Sequence, residues 1–130
     1  MYIRFVVAEI DEDSQSELGV FHALGHLRDQ GKLFGYEEEQ HDVIRDWFNH
    51  HLEKPTRLTA SKPPFSAKKN KAISWFKDTA HAHLDKMRNM VAILENHGVL
   101  VRMLTTDRVG YVVYEDEFQI VAEPFRGERD

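Results

Sequence analysis

The sequence predicts an α+β domain: a four-stranded, mostly antiparallel sheet with three helices on one face, in the order β-α-α-α-β-β-β. Three observations carry this. One strand-like segment opens the chain, three helical segments follow, and three strand-like segments close it, the segregation that favours an antiparallel sheet with helices on one side. The 130 residues suit one globular domain, 1–130, with a sizeable core. Charged residues make up 30%, and only 7 glycines and 4 prolines occur, which excludes collagenous, low-complexity and wholly disordered chains.

Met1 to Ile10 reads as the first strand, because Ile3, Phe5 and Val7 alternate with the equally apolar Tyr2 and Val6. A strand apolar on both sides needs cover on both faces, from its own chain or from a second copy. Ser14-Gln15-Ser16-Glu17 has the form of a capping box. The first helix follows it to about Gln30, with Val20, Phe21, Leu24 and Leu27 as its stripe and Gly31 as its stop. The second helix runs from about Glu37 to Leu52 and ends before Pro55, with His50, His51 and Lys54 near its negative end.

Pro55 to about Asn70 is a long irregular connection containing Pro63-Pro64. The third helix is expected from about Lys71 to His97, since Ile73, Phe76, Ala80, Leu84, Met87, Val91 and Leu94 recur at helical spacing. Strands are expected at Val99–Leu104, Val109–Tyr114 and Phe118–Glu123, the last two joined by a turn at Glu115-Asp116-Glu117.

Charge is the least ordinary feature. The net charge is −5, yet Lys54 to Lys77 holds seven basic residues and no acidic one. Lys62, Lys68, Lys69, Lys71 and Lys77, with Trp75, are the candidate ligand-binding set, suited to an anionic small molecule beside a helix N-terminus. Lysines interleaved with Phe65 and Trp75 also fit single-stranded nucleic acid. The acidic remainder of the chain speaks against that reading. The plainest alternative is a solvated loop that docks on the acidic helices of its own or a neighbouring chain.

Histidines supply the other candidates. His22, His26 and Asp29 fall at i, i+4 and i+7, where two imidazoles and a carboxylate can share a metal. An exposed polar helix face explains them equally well, and no metal or other cofactor is expected. His81 or His83, with Lys77 near the start of the third helix, can serve metal- or histidine-assisted hydrolysis of a phosphate-containing substrate. Ser74, Asp78, His81 and Asp85 have the residue types of a hydrolytic triad, but side chains along one helix diverge. The acids Glu115, Asp116 and Glu117 offer oxygen ligands, yet a soluble turn accounts for them.

Cysteine is absent, which excludes disulfides, thiolate metal sites and a cysteine nucleophile. No apolar run approaches the ~20 residues that span a bilayer, and no secretory signal is recognisable, so a cytoplasmic protein is expected. Ile73-Ser74-Trp75-Phe76-Lys77, Gly98-Val99 and Tyr114-Glu115-Asp116-Glu117-Phe118-Gln119 resemble a family of small bacterial proteins of unassigned function. The resemblance covers roughly the C-terminal half and implies a bacterial, cytoplasmic protein without supplying a site residue. The expected function is that of a small binding or regulatory protein without catalysis of its own. Self-association as a homodimer is expected from the doubly apolar first strand and from Val112 and Val121.

Overall fold

The computed structural model describes residues 1–10, 17–52 and 72–125. It is α+β, with β1 (Tyr2–Ile10), β2 (Glu17–Gly19), α1 (Val20–Asp29), α2 (Gly35–His51), β3 (Ile73–Lys77), α3 (His81–Asn96), β4 (Arg102–Thr106), β5 (Tyr111–Glu115) and β6 (Gln119–Glu123). The expected capping box at Ser14 to Ser16 and the lysines Lys62, Lys68, Lys69 and Lys71 lie outside the described residues.

Among the described residues the sheet has six strands and not four, and every pairing there is antiparallel. Strand β1 is its hub. Strand β4 takes one edge along Tyr2–Val6. The opposite edge is shared by β3, at Tyr2 and Ile3, and by β2, between Val6 and Ile10. Beyond β3 come β6 and then β5.

Strand β3 corrects the sequence reading most sharply. Ile73 and Phe76 were expected to begin a helix reaching His97, but Ile73–Lys77 is a strand between β1 and β6. A short turn at Asp78-Thr79 then leads into α3. The helical spacing holds from Ala80 onward, where Leu84, Met87 and Leu94 are buried as expected and His83, Met90 and Ile93 join them.

All three helices cover one face. Ile3, Phe5, Val7 and Phe76 form a single core with Leu24, Ile44, Phe48, Leu84, Met90 and other helix residues. Two polar ties fix the helices to one another. Arg28 of α1 donates from Nε and Nη2 to the Asp42 carboxylate of α2, at 2.9 and 3.1 Å. Glu37, 1% exposed in the first turn of α2, accepts the Phe34 amide at 2.9 Å and lies 2.7 Å from His97 Nε2 at the end of α3. Burial alone would push the Glu37 carboxyl up; the bonds to His97, Phe34 and Asn96 outweigh it and hold the carboxyl below its usual range.

The opposite face carries a second small core of Val109, Ile120 and Ala122 packed by Tyr2 and Trp75. Chain connectivity explains it. In a flat sheet β4 and β5 would lie four strand spacings apart, about 19 Å, and the chain would also have to travel the length of β5. Residues 107–110 connect them, and such a connection spans at most about 18 Å. The sheet therefore curls strongly, and the connection crosses its concave side with Val109 pointing inward. Val6, on that side, is fully buried, while Val121 pairs with Ser74 on the face of Phe76 and is 7% exposed there. Cover for the second face of β1 thus comes from within the chain, and of the two outward valines only Val112 stays exposed.

Gly110 makes the crossing possible. Its φ is +122°, and a Cβ there would sit 2.1 Å from the Glu123 carbonyl oxygen. Gly110→Ala should destabilise the domain by about 1–3 kcal/mol or more in chemical denaturation. Gly25→Ala, in α1 with nothing within 4 Å of the added carbon, should instead stabilise it by about 0.5–1 kcal/mol.

Candidate functional site

Helix α2 ends and α3 begins beside the tip of the β5–β6 hairpin, and a cleft of about 890 Å³ opens among the three. Trp47, His50 and His51 line it from α2, His81 and His83 from α3, and Phe118 from the hairpin.

Aromatic packing builds its floor. His83 is 3% exposed, its ring centroid 4.3 Å from Phe118 and 4.8 Å from Trp47. His51 stacks on Trp47 at 4.4 Å and 12°. The His50 and His51 rings place Nδ1 2.7 Å from the carbonyl oxygens of Asp46 and Trp47. A carbonyl only accepts, so each Nδ1 donates and each Nε2 is left for another partner.

His83 is oriented the other way. Its Nε2 lies 2.8 Å from the His51 carbonyl oxygen and donates to it, which ties the start of α3 to the end of α2. In the neutral ring Nδ1 then carries a lone pair. That nitrogen has no partner among the described residues. His83 itself lines the cleft, which puts this nitrogen at its wall. Beside it, α3 starts at Ala80 without a side-chain cap. The amides of Ala82 and His83 have no acceptor within the helix, and the positive end of its dipole faces the same space.

Asp116 also lines the cleft, but its carboxylate is committed to the hairpin. Oδ1 accepts the amides of Phe118 and Gln119 at 2.9 and 3.0 Å. Oδ2 accepts the Tyr114 hydroxyl at 2.8 Å and Gln119 Nε2 at 3.1 Å. Burial pushes this carboxyl up, yet the four donated hydrogen bonds outweigh it and hold the group below its usual range. Glu117, next to it, is exposed. The acids of the tip thus form a structural turn that fixes Phe118 against His83.

The other candidates from the sequence are scattered. Lys77 and Trp75 do not reach the cleft. Lys77 Nζ pairs with Glu115 at 2.7 Å on the concave side of the sheet, and that hydrogen bond together with the Glu115 charge holds its ammonium above the usual lysine range. Trp75 packs in the second core. The trio of Lys77 with His81 or His83 is therefore not assembled. Ser74 stands on β3, where it donates to Gln119 Oε1 at 3.2 Å, and Asp78 pairs with the N-terminal ammonium at 3.6 Å. His22, His26 and Asp29 are exposed on α1. Among the described residues no three histidines or carboxylates come together closely enough to hold a metal ion, and no helix is long and apolar enough to cross a membrane.

Sequence reasoning singled out His81 and His83 but missed Trp47, Phe118 and the company of His50 and His51. The available signal was a histidine pair at each of two facing helix ends, one on either side of the basic connection.

The chain matches no protein-family model, no curated protein and no solved structure.

The depressed carboxyl of Asp116 contributes stability that is present above its ordinary titration range and lost as the pH falls through its lowered one. Between pH 7 and about pH 3, covering the ordinary range and below, the parent should lose more denaturation free energy than Asp116→Asn, which starts less stable.

Proposed function

We propose that this is a small binding protein whose ligand is a flat organic anion held in the cleft between α2, α3 and the β5–β6 hairpin. One observation carries the reading: a buried histidine with an unpartnered nitrogen and an uncapped helix start open into one aromatic-walled space. The cleft volume of about 890 Å³ falls in the range of small-molecule sites, roughly 300–1,000 Å³. Rings of Phe118, His51 and Trp47 favour a flat ligand, and the α3 amides and dipole favour negative charge.

Histidine-assisted hydrolysis is the second reading. A specific observation favours it: His83 is a base held in one tautomer by a backbone carbonyl, the arrangement that prepares a general base. Lys77 has no part in it. Single-stranded nucleic acid gains less support, because Trp75 is packed in the second core.

A thermal-shift screen against mononucleotides, phosphosugars and aromatic carboxylates tests the main reading. At least one anion should raise the melting temperature, at 100 times its Kd by the equivalent of about 2.7 kcal/mol, and Phe118→Ala should abolish the shift. Release of inorganic phosphate from a stabilising phosphate ester would favour the hydrolase. No shift with any anion would remove the cleft as a ligand site.

A further inference from the structure

We propose that the anion bound in this cleft carries a hydrogen-bond donor on the ring position next to its carboxylate, and that His83 selects ligands by that donor. The proposal rests on the cleft being the ligand site and specifies the chemistry it accepts. Because the His51 carbonyl can only accept, His83 Nε2 carries the hydrogen and Nδ1 of the neutral ring is an acceptor. An acceptor on a side chain that is 3% exposed calls for a ligand N–H or O–H. A ligand without one leaves the nitrogen desolvated and unpaired.

The same residue supplies the complementary group. The backbone amide of His83, with that of Ala82, lies in the uncapped first turn of α3 and calls for an acceptor oxygen. Acceptor and donor belong to one amino acid, four covalent bonds apart, so a ligand meeting both needs its donor and its anionic oxygen close together, as on adjacent ring positions. The aromatic surfaces of Phe118 and His51 suit a flat ring as the frame joining them. A heteroaromatic carboxylate with its ring N–H next to the carboxylate has this pattern. A simple benzoate lacks the donor, and an unsubstituted heterocycle lacks the anion. Discrimination by a buried hydrogen-bonding group is sharper than discrimination by apolar volume, because the wrong ligand strands a polar atom.

The test compares indole-2-carboxylate with 1-methylindole-2-carboxylate and with indole by calorimetric titration. Indole-2-carboxylate should bind at least tenfold more tightly than either. His83→Phe removes both ring nitrogens and keeps an aromatic ring against Phe118 and Trp47; in this variant the preference over the N-methyl compound should shrink to about twofold or less. Should that variant fail to fold, the ligand comparison on the parent protein decides alone. Equal affinity for the methylated and unmethylated acids would overturn the proposal and leave the cleft as a general anion site. If neither acid binds while another anion stabilises the protein through Phe118, the proposal again falls by itself. If no anion stabilises the protein, the proposal and the reading of the cleft fall together.

Discussion

Strand β1 has to be covered on both of its faces, and most of the architecture answers that demand. Ile3, Phe5 and Val7 point to the helices, and Tyr2 and Val6 to the other side. Three helices satisfy the first set. The second is satisfied when the sheet curls and the connection between β4 and β5 crosses the concave side, with Val109 entering the small core. That crossing forces the chain so close to β6 that only glycine fits at 110. It also explains where Lys77 goes: on a strand facing the concave side, its nearest anion is Glu115. A residue that belongs to the helix dipole in a helical reading becomes part of the sheet's own ion pairing.

The cleft follows from the same packing. Phe76 of β3 and Phe48 of α2 share the core under the helices, and the His83 ring lies within 6.1 Å of both. The Asp116 turn carries Phe118 to the far side of that ring. His83 is thus enclosed by aromatic groups from α2, β3 and the hairpin, and the last turn of α2 supplies the carbonyl that sets its tautomer. Each contact is structural by origin. Together they place one unpartnered nitrogen and the first amides of a helix at the lining of a single cleft, which gives the fold's packing a chemical consequence.

Legibility in the sequence divided along the length scale of the interactions. Helix α2, helix α3 from Ala80 onward and the closing hairpin were legible, because their patterns are local and their neighbours agree with them. Ile73–Lys77 was not. The spacing of Ile73, Phe76 and Ala80 fits a helix, but a short segment carrying Ile73, Trp75 and Phe76 fits a strand as well. Pairing with β1 and β6 decides it, and a strand can bury Trp75 and Phe76 on opposite faces at once. The other strand beyond the expected four, β2, is only three residues long and owes its existence to pairing with β1. At the site, the histidines were visible as residues, but their grouping depends on two helix ends and a hairpin that lie far apart in the chain. Asp116 read as a solvated acid because its four hydrogen bonds come from turn geometry and from the β5–β6 pairing.

The two tryptophans report on the two cores separately, Trp47 at the cleft and Trp75 inside the concave side of the sheet. The most direct measurement follows both indole N–H signals in proton–nitrogen correlation spectra while an anion that raises the melting temperature is titrated in. A ligand held between α2, α3 and the hairpin should shift Trp47, together with the amides of Ala82, His83 and Phe118, and leave Trp75 in place. Movement of Trp75 with Trp47 and those amides unchanged would contradict the account and put the ligand on the sheet.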